Sequence, residues 1–139
     1  MITDQERTEL HAALEAYKAH IISDYAKFSK ESQQYTEMTA GPGSTLATIG
    51  QRVATEMFEK FQASVRFQFG GKYIKVLSGD SVHSFIVQND MPAYRHSPTF
   101  KRGDILKAAS WAAPAKNFAR GNIFTAKGLF PRIRWTGAN

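Results

Sequence analysis

The stretch FQASVRFQFGGKYIKVLSGDSVHSFIVQ, residues 61–88, contains the point at which the spacing of apolar residues changes. Before Ser64 the apolar residues recur with the 3.6-residue period of a helix. After it, Val65, Phe67 and Phe69 alternate with polar residues, which is the two-residue period of a half-buried strand. The chain therefore changes from helix to strand at about this position.

Downstream of this point, turn residues divide the chain into short strands. Gly70-Gly71 predicts a two-residue hairpin turn into a return strand over 72–77. Ser78-Gly79-Asp80 predicts a second turn, into a third strand over 82–88. A loop over 89–98, a fourth strand over 104–108 and a final strand over 132–136 complete the pattern, and the last strand is expected to bring Trp135 onto the sheet.

Upstream of Ser64 the pattern is that of a helical hairpin. Thr3 and Glu6 have the spacing of a capping box, and an apolar stripe then runs from Leu10 to Phe28 on a helix expected to end near Gln34. Residues 41–44, GPGS, predict a turn into a second helix with apolar residues from Leu46 to Phe61. The stripe on the first helix is longer than one domain of this size needs, which predicts self-association through the helices.

These patterns predict an α+β fold, with an N-terminal antiparallel helical hairpin followed by a curved antiparallel β-sheet. Residues 1–64 form the helical hairpin, expected to mediate oligomerisation, and residues 65–139 form a basic β domain, expected to bind the ligand. With 139 residues, the two parts are expected to share one structural unit.

The charge distribution differs between the two halves. Residues 1–64 hold six Lys/Arg and nine Asp/Glu, whereas residues 65–139 hold twelve and three, so the net charges are −3 and +9. The basic half therefore favours an anionic partner. The absence of cysteine, of a long apolar run and of a signal-peptide pattern predicts an intracellular location without a membrane anchor.

No residue pattern in the sequence is typical of catalysis. The four histidines, His11, His20, His83 and His96, lack the spacing of a metal motif or of a two-histidine phosphoesterase. No serine has a nucleophile-elbow context, and the basic half contains too few carboxylates for a paired-carboxylate hydrolase. The sequence therefore predicts a binding protein that is not an enzyme and needs neither a cofactor nor a metal.

The segment TFKRGDILKAASWAAPAKNFARGNIF, residues 99–124, holds the strongest binding candidates. Arg120 has the fork that suits a phosphate and precedes a predicted turn whose backbone N–H groups favour anions. Lysines add charge, an asparagine can contact a base edge or ribose, and aromatic rings can stack on a purine. The candidates are Arg120, Gly121, Asn122, Lys107, Lys116, Asn117, Phe85, Trp111 and Arg66, with Phe118 as a further stacking candidate.

Three segments carry a family resemblance: SVHSFIV (residues 81–87), KRGDILKAASWAAPAKNFARGNIF (101–124) and RWTG (134–137). Together with the helical hairpin, they resemble the first type of Thoeris anti-defence protein. These phage proteins act as sponges for cyclic ADP-ribose isomers made by bacterial TIR-domain proteins, and some also bind cyclic oligonucleotides. The resemblance implies sequestration without degradation in the host cell cytoplasm, by a symmetric homo-oligomer of up to six subunits with pockets between them.

The resemblance also implies roles for single residues. Arg120 corresponds to a phosphate-binding arginine, Phe85 to the aromatic that stacks on adenine, and Asn117 to a further ligand contact. The family uses one more arginine from the helical half, for which Arg52 or Arg66 is available.

The residues alone leave two other interpretations open. Basic residues interleaved with aromatic ones on a sheet are equally typical of a single-stranded nucleic-acid-binding protein. A purely structural phage oligomer is the third interpretation. The ARGNIF-type segment also resembles segments of phage proteins without known activity, so the resemblance is compatible with a shared fold that binds a different ligand.

Overall fold

The computed structural model describes residues 3–139, which form two helices followed by a small antiparallel β-sheet. The bounds are α1 (Asp4–Ala40), α2 (Thr45–Ser64), β1 (Val65–Phe69), β2 (Tyr73–Ser78), β3 (Ser81–Val87), β4 (Ile105–Lys107), β5 (Ile133–Arg134) and β6 (Gly137–Ala138). The predicted α+β class, with a helical pair preceding the sheet, is confirmed. The change from helix to strand falls between Ser64 and Val65, as the apolar spacing predicts.

Side-chain hydroxyls cap both helices of the hairpin. The Thr3 hydroxyl accepts a hydrogen bond from the Glu6 backbone N–H (3.1 Å), and the Ser44 hydroxyl accepts one from Ala47 (3.1 Å). α1 continues to Ala40, beyond its expected end near Gln34, because no residue breaks the helix before Gly41, which takes a φ of +91°. No helix within residues 3–139 is both long and apolar enough to cross a bilayer.

The sheet has the strand order β1-β2-β3-β4, and all of its neighbours are antiparallel. Each of these strands begins and ends within one residue of its predicted bounds. The register between β2 and β3 shifts between Val76 and Leu77, which marks a bulge. Strands β1 and β4 are the two edge strands, so residues on β1 and residues on β4 lie at opposite edges of the sheet.

The C-terminal segment differs from the prediction. A single strand over 132–136 is wrong, because β5 and β6 form their own tight hairpin with Trp135 at the turn between them. The Trp135 ring contacts aromatic rings of both helices, at 5.1 Å from the Tyr25 ring and 5.8 Å from the Phe61 ring. The Asp24 carboxylate fixes this turn by accepting a hydrogen bond from the Trp135 backbone N–H (2.8 Å).

Each face of the sheet is covered by a separate hydrophobic cluster. On the inner face, α1 and the C-terminal hairpin pack on the sheet through Leu14, Tyr17, Ile21, Val65, Ile74, Val76, Ile86, Ile105, Ile123, Phe130, Ile133 and Ala138. The outer face is covered by the loops on either side of β4 and contains Phe85, Val87, Phe100 and Leu106. Helix α1 and the sheet therefore share one core.

A buried chain of hydrogen bonds joins α1, β3 and the C-terminal hairpin. The Arg134 carbonyl can only accept, so His83 Nε2 donates to it (2.7 Å) and the neutral ring leaves Nδ1 as an acceptor. The Ser84 hydroxyl donates to Nδ1 (2.8 Å) and accepts from the Tyr17 hydroxyl (2.7 Å). Every group in this chain is paired, so it holds three distant segments of the sequence together.

The buried hydrogen bonds of His83 predict that the fold is sensitive to acid. Burial, together with the nearby His20, lowers the pKa of His83, so the folded protein holds the neutral ring while the unfolded chain takes up a proton near pH 6.5. The stability from this group is present above pH 6.5 and falls as the pH drops below it, by at most about 1.4 kcal/mol per pH unit. Urea unfolding at pH 7.0 and 5.5 measures this loss.

Two variants identify the residue responsible. His83→Asn is expected to have a lower stability that depends less on pH, whereas His11→Gln, at an exposed position, is expected to keep the wild-type dependence. An unchanged pH dependence in His83→Asn would show that another group causes the acid sensitivity.

The helical hairpin exposes an apolar stripe on α2. Leu46, Ile49, Val53 and Met57 recur at spacings of three, four and four residues, and each is at least 44% exposed. A groove of about 400 Å³ lies between this stripe and the last turns of α1. The stripe on which the expectation of self-association was based has a different role, because Leu14, Tyr17, Ile21 and Tyr25 of α1 are buried within the same chain.

Candidate anion-binding site

The segment 120–123 pairs with the free edge of β4 and thereby places Arg120 beside the sheet. The Ile105 N–H donates to the Gly121 carbonyl (2.8 Å), and the Arg120 N–H donates to the Ile105 carbonyl (2.7 Å). The predicted tight turn at residues 120–122 is therefore wrong, because these residues pair with the β4 segment and the turn follows at residues 123–125. The backbone N–H groups that the prediction named, those of Gly121 and Asn122, take no part in this pairing. Gly121 takes a φ of +140°, which its lack of a Cβ permits.

Arg120 is buried, with a relative exposure of 5%. Its Nη1 donates to the Asn117 side-chain oxygen and to the Phe118 carbonyl, both at 2.7 Å, while Nε is buried without a hydrogen-bond partner. The guanidinium lies 3.8 Å from the centroid of the Phe118 ring. Arg120 is therefore not the solvated arginine of an open turn, because three contacts with Asn117 and Phe118 fix the guanidinium in place.

A second guanidinium lies against the same ring. Arg132, which is exposed, approaches the Phe118 ring centroid to 5.4 Å, and its Nη1 donates to the main-chain oxygen of Asn139 (3.3 Å). Burial, followed by the charge of Arg132, lowers the pKa of Arg120. The cationic pair, defined here as Arg120 and Arg132 beside Phe118, thus brings two like charges together.

No acidic side chain compensates this pair. Among residues 3–139 the one ion pair found joins Arg134 to Asp24 (3.6 Å), and no Asp or Glu carboxylate lies within 4.0 Å of either guanidinium of the cationic pair. A buried arginine normally has such a partner. An anion from outside the chain would supply the missing charge.

Both predicted asparagines, Asn117 and Asn122, form hydrogen bonds within the protein. Asn117 accepts from Arg120 and from the Phe118 N–H (2.9 Å), so it orients the arginine. Asn122 donates to the Arg102 carbonyl (2.9 Å) and to Asp104 (3.0 Å), and its oxygen accepts from the N–H of Phe124 (2.8 Å). Asn122 therefore holds two loops together and has no free acceptor or donor for a ligand.

The two predicted aromatic contacts lie in different environments. Phe85 is 2% exposed in the outer hydrophobic cluster, so its ring faces other side chains of this chain. Trp111 is 54% exposed, and the Lys75 ammonium lies 4.6 Å from its ring centroid. Of the two, Trp111 is the ring that a ligand can reach.

The remaining predicted cations are exposed and separate. Lys107 lies on β4, and Lys116 lies in the loop before Arg120. Arg66 lies on β1, the opposite edge of the sheet, where its Nη1 donates to the Gly79 carbonyl (3.0 Å). Arg66 is therefore not brought together with Arg120 in one chain, and Arg52, which is exposed on α2, has no contact with this segment.

Two residues were not identified from the sequence: Arg132, which lies beside Phe118, and Lys75, which lies beside Trp111. The position of Arg132 depends on the fold of the C-terminal hairpin, for which the sequence carries no local signal. Lys75 could have been found, because the predicted hairpins bring the middle of β2 opposite Phe85.

The nearest resemblance to a catalytic arrangement is the hydrogen bond between His83 and Ser84. Ser84 has no exposed surface and His83 is 4% exposed, so no substrate reaches either group in this conformation. Within residues 3–139 no three His, Asp or Glu side chains lie close enough together to hold a metal ion.

Comparison with known proteins gives no assignment. No family model matches the chain, and neither a curated protein nor a solved structure is similar to it.

Proposed function

We propose that this protein binds and sequesters a cyclic nucleotide immune signal without degrading it, acting as a phage sponge in the host cell cytoplasm. The observation that supports the proposal is the cationic pair, Arg120 and Arg132 beside Phe118, which has no Asp or Glu side chain as a partner within residues 3–139. The class of ligand, a cyclic ADP-ribose isomer or a cyclic oligonucleotide, follows from the resemblance of the segments around this pair.

The physical argument for an anion is electrostatic. Two guanidiniums beside one ring repel each other, and burial of Arg120 weakens the screening of that repulsion. A phosphate between them would replace repulsion with two charge-assisted hydrogen-bonded contacts. Arginine suits this role better than lysine, because Nη1 can keep its two internal hydrogen bonds while Nη2 donates to a phosphate oxygen.

The proposed assembly is a homo-oligomer formed through the apolar stripe of α2. An exposed row of large apolar side chains of this length is uncommon on a monomeric protein. The stripe fits a second copy of this chain best. In a two-fold symmetric dimer the same row of apolar side chains on each α2 would pack against the other. Such an assembly would let another subunit complete the pocket around the cationic pair.

Binding without turnover is the first prediction from this function. The protein is incubated with a cyclic ADP-ribose isomer and then denatured by heat, and the released nucleotide is separated by chromatography. Intact cyclic nucleotide is expected, in an amount that follows the protein concentration. Linear ADP-ribose or another fragment that increases with protein would make this protein an enzyme.

A specific observation favours a second function, binding of single-stranded nucleic acid. Exposed aromatic rings on the β domain have a cation beside them, as in the pairs Trp111–Lys75 (4.6 Å) and Tyr94–Arg95 (5.2 Å). Such pairs are typical of surfaces on which successive bases stack. In that case the affinity for an oligonucleotide falls steeply with salt, with a slope near −0.7 per phosphate contacted, whereas a dinucleotide pocket gives a shallow slope.

A further inference from the structure

A second cavity lies between the first turns of α1, the end of β1 and the residues that follow β3. Its volume is about 580 Å³, within the usual range of small-molecule sites. Most of its inner surface is apolar and comes from Leu10, Leu14, Phe69 and Ile74, while Val87, whose side chain lies in the outer cluster, borders the cavity. None of the residues of the cationic pair lines this cavity, so it is distinct from the site described above.

Arg102 supplies a fixed positive charge at the rim of this cavity. Its guanidinium lies 4.4 Å from the centroid of the Phe124 ring, and its Nη2 is buried without a hydrogen-bond partner. The adjacent Gly103 takes a φ of +90°, and a Cβ there would lie 2.4 Å from the Phe124 ring. Only glycine therefore allows Phe124 to pack against this segment and support Arg102.

The carboxylates closest to Arg102 in the fold are used elsewhere. Asp90 accepts from the backbone N–H of Arg102 (2.8 Å), and Asp104 accepts from the N–H of Lys101 (2.8 Å) and from Asn122. Neither carboxylate lies within 4.0 Å of the Arg102 guanidinium. The ion pair found within residues 3–139 joins Arg134 to Asp24. Because Nη2 has no accessible surface, an anion in the cavity would contact the guanidinium through Nε or Nη1, for which the structure shows no hydrogen-bond partner within residues 3–139.

The other polar groups of the rim lie on α1 and after β3. Arg7 and His11 face the cavity from α1, together with one acidic residue, Glu6, and the amides of Gln88 and Asn89 follow β3. The two arginines outnumber the single carboxylate, so the rim favours an anionic group.

We propose that this cavity binds a small amphipathic anion, with its apolar body on the floor and a carboxylate beside Arg102. An apolar chain of about eight to ten carbons would be removed from water on the floor, at about 0.8 kcal/mol per buried CH₂ group. The carboxylate would form a charge-assisted contact with the guanidinium. This inference does not depend on the proposed nucleotide binding, because the two sites share no residue.

Decanoate is the probe for this site, and decanol, with the same chain and no charge, is the matched ligand control. Calorimetric titration of the full-length protein is expected to show saturable decanoate binding at concentrations up to about 1 mM, the weak end of specific binding. Decanol is expected to bind at least about tenfold more weakly, since it lacks the charge. Amide NMR shifts are expected to change near the start of α1 and at residues 87–89.

The protein variants test the role of Arg102 directly. Arg102→Gln is expected to weaken decanoate binding by about 10- to 100-fold, the usual effect of losing a charge-assisted contact. Lys101→Gln removes the same charge from the exposed neighbouring position and is expected to change the affinity less than about twofold. Circular dichroism establishes that each variant is folded before titration.

Any of three results would overturn the proposal. One is the absence of saturable decanoate binding to the wild-type protein. The second is equal binding of decanoate and decanol, and the third is equal losses in Arg102→Gln and Lys101→Gln, since either would mean that no anion is held at the rim. If Arg102→Gln does not fold, the comparison of decanoate with decanol on the wild-type protein decides the question.

Discussion

Replacing Arg120 with alanine is expected to raise the Kd for a cyclic nucleotide by about 30- to 1,000-fold, which corresponds to about 2–4 kcal/mol. The reason is that a phosphate in a partly dry site loses a charge-assisted hydrogen-bond donor, since Arg120 Nη2 is the nitrogen that neither the internal hydrogen bonds nor burial takes up, while Arg132 remains in place. Arg120→Lys is expected to recover part of the affinity, because a point charge cannot reproduce the two separate donors, Nη1 and Nη2. Calorimetric titration with a cyclic ADP-ribose isomer measures each variant.

The same substitution is also expected to destabilise the fold. A surface arginine in a turn would contribute little, but Arg120 is buried and donates to Asn117 and to the Phe118 carbonyl. Both acceptors lose their donor in the alanine variant, so the free energy of unfolding is expected to fall by about 1–3 kcal/mol. Urea unfolding of the ligand-free protein separates this effect from the loss of binding.

Two further variants control for the loss of stability and for general charge. Arg132→Ala, at an exposed position, is expected to weaken binding by about tenfold without a comparable effect on stability. Lys127→Ala removes an exposed charge that is not part of the cationic pair and is expected to cost much less affinity. Equal losses in Arg120→Ala, Arg132→Ala and Lys127→Ala would mean that binding is diffuse electrostatics and that the cationic pair is not a site.

Val53→Glu is expected to convert the proposed oligomer into a monomer. Val53 lies in the middle of the exposed stripe of α2, so a carboxylate there would be buried without a partner in a symmetric interface. Light scattering after gel filtration at micromolar concentration is expected to show at least a dimer for the wild-type protein. The helix itself is expected to persist, because Val53 is 44% exposed in the single chain.

Thr55→Glu is the matched control for this prediction. It introduces the same charge two residues away, outside the stripe, at another exposed position of α2, and is expected to leave the assembly intact. A wild-type monomer, or a Val53→Glu variant with the mass of the wild-type assembly, would contradict the proposed interface.

The fold could be predicted from the sequence where the determining contacts are local. The caps at Thr3 and Ser44, the helical stripes and the Gly70-Gly71 hairpin each depend on residues close together in the chain. The C-terminal hairpin could not be predicted, because Trp135 is placed by contacts with Asp24 and Tyr25, more than a hundred residues earlier.

For the candidate site, the sequence predicted which residues take part better than it predicted where they lie. Arg120 was identified from its residue type and context, but its burial depends on the pairing of residues 120–123 with β4, which the sequence pattern does not specify. Phe85 illustrates the same limit. Alternation predicts a strand there but does not say which face the loops around β4 will cover.

Native mass spectrometry of the wild-type protein with a panel of ligands tests the central claim most directly. The panel contains cyclic ADP-ribose isomers, cyclic oligonucleotides and one short linear oligonucleotide. The proposed function predicts an oligomer that gains the unmodified mass of a cyclic nucleotide, with a fixed number of ligands per assembly. A protein that binds the linear oligonucleotide but none of the cyclic nucleotides would contradict it.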